Sequence, residues 1–310
     1  MTAQEKINQL KAIIYKTLEP LINRDYWLLE VPYYTNIGDT LIWQGEMDFL
    51  RTLPNKRKGM YALESFKFPK IPNNDLIIFQ GGGNFGDLWT KHHDFKMQVI
   101  EHYPNNEFLF MPQTVYFQDE NNLRKCAEFL SCYNVTICAR DLHSYKVLSD
   151  NFSNRILLVP DMAFCMNMSR WEKSYSTSRP LLLKRIDTEL KMTPILEKVE
   201  SMDLDISDWP SMYDNDRMTK ILYKTKKRKM KTYTPWAMDL FCKYFYRPFL
   251  IRTGVKFINS HTDIYTTRLH GAILSILLGK NTILIDNSYG KNSQFYNTWL
   301  GDCDIIKMVN

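Results

Sequence analysis

Apolar residues along the chain form two recurring patterns, short continuous runs and stripes at helical spacing. The runs are typical of strands buried on both faces and predict strands at residues 27–31, 59–63, 75–80, 107–111, 135–139, 156–159, 181–183, a segment ending at Thr267, and 282–285. The stripes predict helices at residues 1–25, 41–50, 121–132, 189–201, 236–251 and about 270–278, and a last helix that includes Phe295, Tyr296 and Trp299. The alternation with strands adds a helix after residues 81–87 and a short helix after Asp141. Strands and helices that alternate in this way predict an α/β fold with parallel sheets covered on both faces.

The length of the chain predicts two α/β domains. A chain of 310 residues is long for one hydrophobic core, since domains are typically roughly 150 residues long. Residues 168–178 lack apolar periodicity and predict a linker between a first domain at 1–168 and a second at 179–310, with the last helix packing back on the first domain. We expect two Rossmann-like domains that face a cleft, an arrangement that suits a donor held by one domain and an acceptor held by the other.

Composition excludes several classes of protein. No run of about 18 apolar residues indicates a membrane span, and the charged, amphipathic start of the chain differs from a signal peptide, so we expect a cytoplasmic protein. The six cysteines are scattered without Cys-x-x-Cys spacing. They predict buried thiols rather than a zinc site or a disulfide framework.

The positive charge of the chain is concentrated in one stretch. Residues 217–256 carry twelve Lys or Arg and one acid, Asp239, so this stretch is net +11 where the whole chain is net +6. It contains Lys226, Lys227, Arg228 and Lys229, followed by Trp236, Phe241, Tyr244, Phe245, Tyr246 and Phe249. One interpretation is a solvated loop that leads into a core helix. The other is peripheral contact of residues 224–256 with an anionic membrane, because cations and interfacial aromatics favour such surfaces.

The first candidate site is the turn after the strand that ends at Thr267. Arg268 and His270 lie between this strand and an apolar helix that ends at Gly279, a typical C-cap residue. Ligands of α/β sheets bind outside the carboxyl ends of strands, where the following helix offers unpaired N–H groups to anions. The structural alternative is that Arg268 pairs with a surface carboxylate and His270 only begins a helix.

Three other turns between a strand and a helix carry similar residues. Asn36, Gly38 and Asp39 precede the helix at 41–50, where Asp39 is either an N-cap or a functional carboxylate. Residues 81–86 form a glycine-rich loop, including Gly82, Gly83 and Asn84, that fits neither a dinucleotide fingerprint nor a P-loop and is either a ligand-binding or a tight structural turn.

Arg140 follows the strand at 135–139, and Lys291 precedes the last helix. An arginine there is an anion clamp or a salt-bridge partner near Asp141. Together with Arg268 and His270, these cations predict a polyanionic small molecule as the ligand. The positive stretch has no recognition motif, so nucleic acid is not expected as a partner.

The order and spacing of the motifs at these turns resemble the polysaccharide pyruvyl transferase family. The resemblance covers about residues 30–300 and rests on Asn36-x-Gly38-Asp39, Gly81-Gly-Gly-Asn84, Ala139-Arg140-Asp141 with Ser144, Pro160-Asp161, Thr267-Arg268-Leu-His270-Gly271 and Asp286-Asn-x-Tyr-Gly290-Lys291-Asn292. One departure is Asn281, which stands where the family usually has proline before the last strand.

The resemblance implies a fold similar to GT-B glycosyltransferases, phosphoenolpyruvate as donor and a sugar or lipid-linked oligosaccharide as acceptor. It implies a donor site of Arg140, Arg268 and His270, to which we add Lys291. We assign proton transfer to His270 and Asp39, and we expect Asn36, Gly38, Gly82, Gly83 and Asn84 to line the acceptor side. The reaction requires neither a metal nor another cofactor in principle. The alternatives are a GT-B-like glycosyltransferase that uses a nucleotide-sugar and a non-catalytic sugar-phosphate binding protein.

Overall fold

The computed structural model describes residues 1–171, 179–213, 216–227, 235–287 and 290–309. Its α-helices are α1 (Ala3–Leu18), α2 (Ile37–Leu50), α3 (Thr90–His102), α4 (Glu120–Ser131), α5 (Leu142–Asn151), α6 (Pro194–Glu200), α7 (Arg217–Lys227), α8 (Pro235–Phe241), α9 (Arg247–Asn259), α10 (Leu269–Leu277) and α11 (Lys291–Trp299). Its strands are β1 (Tyr26–Leu29), β2 (Arg57–Tyr61), β3 (Leu76–Phe79), β4 (Gly82–Gly86), β5 (Glu107–Tyr116), β6 (Val135–Ala139), β7 (Arg155–Leu158), β8 (Leu181–Leu183), β9 (Asp205–Ser207), β10 (Ile264–Thr266), β11 (Thr282–Ile285) and β12 (Ile306–Val309).

The strands form two sheets, and every strand pairing described in them is parallel. The first sheet has the order β2-β1-β3-β5-β6-β7, with β4 paired to the end of β5. The second has the order β12-β11-β10-β8-β9. The α/β fold with two parallel sheets is therefore confirmed, and β6, β8 and β11 have the predicted bounds.

The chain divides into two compact units. The first sheet belongs to residues 10–32 and 42–165, which we call the N-terminal unit. The second sheet belongs to residues 166–310 together with residues 1–9 and 33–41, which we call the C-terminal unit. The cleft and the domain bounds expected from the sequence stay predictions, and most of the proposed linker lies outside the described residues.

Each unit has a hydrophobic core on its sheet. The core of the N-terminal unit is rich in aromatic residues, and the rings of Phe79 and Phe110 pack edge to face at 5.0 Å. In the C-terminal unit all nine residues of α10 are buried, so this helix is central rather than peripheral. A helix that is apolar on every side is stable only when protein surrounds it.

Several predicted elements differ from the structure for local reasons. The glycine-rich residues 82–86 form strand β4 rather than a loop, with positive φ at Gly82 and Gly86. Helix α2 begins at Ile37 instead of residue 41, because Asn36 precedes it and its Oδ1 accepts the N–H of Gly38 at 2.9 Å. Asp39 therefore lies inside the first turn and is not the N-cap.

The predicted helices at 189–201 and 236–251 also have different bounds. Thr193 caps α6 and Pro194 occupies its first turn, so the helix starts later than predicted. The second pattern spans α8, a π-helical turn at Cys242–Tyr246 and α9, which ends at Asn259. The pattern did not predict α7, β9 or β12.

The structure bears on two expectations from composition, the burial of the cysteines and the absence of a membrane span. Five cysteines are buried, but Cys132 is exposed, so the prediction of buried thiols is wrong at that position. Among the described residues, no helix combines the length and the apolar character that crossing a bilayer requires.

Candidate functional site

Charged residues follow four neighbouring strands of the C-terminal unit. Arg185 lies after β8, Asp208 after β9, Arg268 after β10, and Lys291 begins α11 after β11. Because the strands are parallel, their carboxyl ends lie at one edge of the sheet. The fold thus gathers residues from distant parts of the sequence into one site.

Arg268 is a buried cation held by a buried carboxylate. Its Nε and Nη2 donate to the two carboxylate oxygens of Asp208, whose side chain is 0% exposed, whereas that of Arg268 is 6% exposed. The Asp208 oxygens also accept the backbone N–H groups of Ile186 at 3.1 Å and Trp209 at 2.7 Å. A bidentate pair fixes the plane of a guanidinium group, so Arg268 is oriented before any ligand binds.

Asp187 bridges two arginines at this edge. Its Oδ1 accepts from Nε of Arg185 at 2.6 Å, and its Oδ2 accepts from Nη2 of Arg185 at 3.1 Å and Nη2 of Arg268 at 3.2 Å. Burial alone would raise the pKa of the Asp187 carboxyl, but the hydrogen bond from Arg185 and the charges of both arginines outweigh it and lower the pKa. The side chain is 33% exposed, so an accessible carboxylate lies between two guanidinium groups.

Glu189 connects the third cation to this cluster. Its Oε2 lies 2.7 Å from Nη1 of Arg185 and 3.7 Å from Nζ of Lys291, and it accepts from Nδ2 of Asn287 at 3.3 Å. We call the resulting set the arginine cluster, which consists of Arg185, Asp187, Glu189, Asp208, Arg268 and Lys291. Its three cations and three acids balance in formal charge.

His270 lies in the first turn of α10, two residues after Arg268. The segment that contains Gly38 packs directly on its ring, and a Cβ atom built on Gly38 would lie 2.9 Å from Nδ1 of His270. Any side chain at position 38 would therefore displace either the ring or the segment. A Cβ atom at Gly271 would likewise lie 2.5 Å from the side chain of Leu183, so glycine allows α10 to approach β8.

The predicted residues Asn36 and Asp39 belong to the same segment. The Asp39 carboxylate accepts from Nδ2 of Asn36 at 2.9 Å and from the hydroxyl of Tyr34 at 3.0 Å. These contacts hold a partly exposed carboxylate on the segment that packs against His270. Six of the predicted residues thus belong to one unit: Asn36, Gly38, Asp39, Arg268, His270 and Lys291.

Arg140 belongs to the N-terminal unit and is fully buried. Its Nη1 donates to Oδ2 of Asp161 at 2.8 Å, and its Nε donates to the hydroxyl of Thr114 at 2.8 Å. Asp141 instead caps α5 by accepting the N–H of Ser144 at 2.7 Å. The ion-pair partner of Arg140 is therefore Asp161, which the sequence places 21 residues away.

Gly82, Gly83 and Asn84 lie on β4 of the N-terminal unit. The N–H of Gly81, just before this strand, donates to Oε1 of Glu46 at 2.7 Å. Burial raises the pKa of Glu46 well above its usual range, and the charges of Asp161 and Glu30 add to this shift while the Gly81 hydrogen bond opposes it. The backbone before β4 is thus held by a buried carboxyl group that keeps its proton to unusually high pH.

A second ionic cluster in the N-terminal unit was not predicted from the sequence. Glu30 follows β1 with a φ of 70°, and its carboxylate contacts Nζ of Lys96 at 2.7 Å and Nδ1 of His92 at 2.8 Å. Nδ2 of Asn84 lies 3.5 Å from the same His92 nitrogen. Positive φ in a buried, non-glycine residue costs about 1–3 kcal/mol, and such strain often occurs at functional sites.

Sequence reasoning also missed Arg185, Asp187 and Asp208. Arg185 follows a predicted strand, so the rule that identified Arg268 could have found it. Asp208 follows β9, a strand of three residues that periodicity does not reveal. Within the described parts of the chain, no group of three or more His, Cys, Asp or Glu side chains is arranged to hold a metal ion.

Comparison with known proteins gives a consistent result. Residues 36–289 match the family described as "Polysaccharide pyruvyl transferase". The chain is 30% identical to the Bacillus subtilis (strain 168) protein named "Putative pyruvyl transferase EpsO", over 100% of this chain and 94% of that protein. It is 26% identical to "Pyruvyl transferase 1" of Schizosaccharomyces pombe, over 90% of this chain and 70% of the relative.

Among solved structures, a protein of known fold resembles the whole chain. The match is to the crystal structure of an uncharacterized protein from Klebsiella pneumoniae, with a TM-score of 0.61 and 18% sequence identity. The alignment covers 99% of this chain and 98% of the other. At this level of identity the likeness shows a shared fold.

Proposed function

This chain belongs to the polysaccharide pyruvyl transferase family, and we propose that it transfers the enolpyruvyl group of phosphoenolpyruvate to a sugar of a polysaccharide or a lipid-linked precursor. The product is a pyruvate ketal. The observation that carries the proposal is the accessible carboxylate of Asp187 between Arg185 and Arg268, because it marks a position that suits an anionic oxygen.

The chemistry of the donor matches the arginine cluster. Phosphoenolpyruvate carries a phosphate and a carboxylate, and guanidinium groups bind such anions through paired, charge-assisted hydrogen bonds. Arg268 is held in one orientation by Asp208, and Arg185 shares the bridging position. In our proposal a donor anion replaces Asp187 between the two arginines, and Lys291 adds positive charge at the same edge.

The reaction requires two proton transfers. One acceptor hydroxyl adds to C2 of the enolpyruvyl group while C3 gains a proton, the second hydroxyl then bonds to C2, and the bond from C2 to the phosphate oxygen breaks. The two hydroxyl protons end on C3 and on the released phosphate. His270 suits such transfers because an imidazole ring can both donate and accept a proton, and positioned proton transfer is typically worth about 10²- to 10⁴-fold. Asp39 is the proposed partner on the segment that contacts His270.

Ligand binding distinguishes this function from its alternatives. Phosphoenolpyruvate should raise the melting temperature of the protein, since a ligand that binds only the native state stabilises it. Stabilisation by nucleotide-sugars and not by phosphoenolpyruvate would instead indicate a glycosyltransferase. Mass spectrometry of the acceptor glycan should then show the added pyruvyl mass. Binding of phosphoenolpyruvate without turnover across a panel of acceptors would indicate a binding protein.

Site variants test the assigned residues. His270→Asn and Arg268→Lys should lower phosphate release from phosphoenolpyruvate in the presence of acceptor by at least about 100-fold. His261→Asn is a matched control because His261 and His270 belong to the same unit and are both 8% exposed. Arg179→Lys is the control for Arg268, because Arg179 precedes β8 and pairs with Asp203. Equal losses in a site variant and its control would contradict the assignment.

A further inference from the structure

The aromatic residues of the basic stretch divide into buried and exposed groups. Tyr246 is buried and donates to or accepts from the hydroxyl of Thr219 at 3.0 Å. Tyr244 and Phe245 are 64% and 61% exposed, and the nearby Leu240 is 43% exposed. The structure therefore corrects the sequence interpretation, since Tyr246 belongs to the core and only part of the aromatic run faces solvent.

A π-helical turn produces this exposure. Residues 242–246 form one π turn between α8 and α9, with Cys242 and Tyr246 buried at its two ends. Tyr244 and Phe245 lie between these anchors and face solvent. A π turn inside a helix is rare and frequently lies at a functional site. Exposing two adjacent large aromatic side chains is unfavourable in water unless another surface covers them.

The neighbouring helix α7 carries exposed cations. The hydrogen bond between Thr219 and Tyr246 joins α7 to the π turn, and the exposed side of α7 carries Arg217, Lys220 and Lys224. The sequence adds Lys226, Lys227, Arg228, Lys229 and Lys231, without an intervening acid. We define the basic aromatic surface by the described residues Arg217, Lys220, Lys224, Leu240, Tyr244 and Phe245.

We propose that the basic aromatic surface binds the face of an anionic phospholipid bilayer. Lipid phosphates complement the cations, and Tyr244, Phe245 and Leu240 enter the interfacial layer, where aromatic side chains are favoured. A second copy of this chain is a poor partner, because it would bring two surfaces of the same positive charge together. The inference does not depend on pyruvyl transfer, and it explains how the protein would reach acceptors attached to lipid.

Vesicle sedimentation tests this proposal. At low salt the wild-type protein should sediment with phosphatidylcholine vesicles that contain phosphatidylglycerol and stay in the supernatant with phosphatidylcholine alone. Each cation near an anionic surface is worth about fivefold in binding, so the double variant Lys220→Glu and Lys224→Glu should bind at least about 25-fold more weakly. The double variant Tyr244→Ser and Phe245→Ser should also bind more weakly.

Matched variants elsewhere control for net charge and exposed apolar area. Lys16→Glu with Lys91→Glu makes the same change in charge at exposed positions of the N-terminal unit. Met192→Ser with Met202→Ser removes apolar side chains that are 50% and 43% exposed in the C-terminal unit. Both control variants should bind like the wild type.

Four results would overturn the proposal, three from vesicle binding and one from self-association. The first three are no sedimentation of the wild-type protein with anionic vesicles at low salt, equal losses in surface and control variants, and binding that the serine variant leaves unchanged. Concentration-dependent dimerisation that Tyr244→Ser with Phe245→Ser abolishes would assign the surface to a second copy and would also overturn it. Circular dichroism shows which variants fold. The comparison of wild-type binding to the two lipid mixtures tests the proposal even where a variant does not fold. Phosphate release on a soluble acceptor tests pyruvyl transfer separately.

Discussion

Two aspartates of the arginine cluster should have opposite effects on donor binding. Asp208 orients Arg268 from a fully buried position, whereas Asp187 occupies the position that we assign to a donor anion. Asp208→Asn should therefore weaken binding of phosphoenolpyruvate, and Asp187→Asn should strengthen it. A general loss of negative charge would change the affinity for phosphoenolpyruvate in the same direction in both variants. Opposite changes in affinity would therefore support the separate roles of the two carboxylates.

The expected magnitudes follow from burial. Removing one partner of a buried ion pair costs about 3–5 kcal/mol, but Arg268 keeps its contact with Asp187, so we expect Asp208→Asn to lower the free energy of unfolding by about 3 kcal/mol. Asp187 is 33% exposed, and a partly solvated ion pair is worth about 1 kcal/mol or less. Its replacement should tighten donor binding by up to about fivefold, since 1.4 kcal/mol corresponds to about tenfold.

Isothermal titration calorimetry of phosphoenolpyruvate against the three proteins gives the required dissociation constants. Urea unfolding gives their stabilities, and Asp263→Asn is a control because Asp263 precedes β10, at the opposite edge of the same sheet. Donor binding that is weaker in Asp187→Asn than in the wild type would refute the idea that the donor replaces Asp187. Unchanged binding in both variants would place the donor elsewhere.

Three further predictions concern a close packing contact and two buried ionisable groups. Gly38→Ala places a Cβ atom 2.9 Å from Nδ1 of His270, so phosphate release should fall at least about tenfold while the circular dichroism spectrum stays unchanged. Gly279→Ala is the control for backbone strain, because a Cβ atom there meets nothing within 4 Å but the φ of the residue is +67°. The raised pKa of Glu46 means that the folded state binds its proton more tightly than the unfolded state, so the contribution of Glu46 to stability should fall as pH rises above 4.5. Glu46→Gln removes this loss. The free energy of unfolding of the variant in urea, relative to that of the wild type, should therefore increase by about 1.4 kcal/mol per pH unit up to the pKa of Glu46 in the folded state. A difference between the two proteins that does not change with pH would contradict the assignment. Lys96→Met leaves the buried Glu30 carboxylate poorly compensated and should cost about 3–5 kcal/mol in urea unfolding, much of which Glu30→Gln in the same chain should restore.

The sequence by itself determined the fold class and indicated one part of the candidate site. Largely apolar runs predicted the bounds of β6, β8 and β11, because strands buried on both faces are mostly apolar; Thr136 and Thr282 are the polar residues in them. The motif Thr267-Arg268-Leu-His270-Gly271 indicated the turn after β10 because anions bind where a strand ends and the following helix begins. The same motifs indicated the family, which the match over residues 36–289 confirms.

Only the tertiary structure decided which groups meet at that turn. Arg185, Asp187 and Asp208 lie about 60–80 residues before Arg268, and parallel pairing of β8, β9 and β10 brings their strand ends to one edge. Asp208 follows a strand of three residues, too short for periodicity to reveal. The contact between Gly38 and His270 likewise joins residues that no local pattern relates, since packing distances depend on the folded backbone and not on sequence spacing.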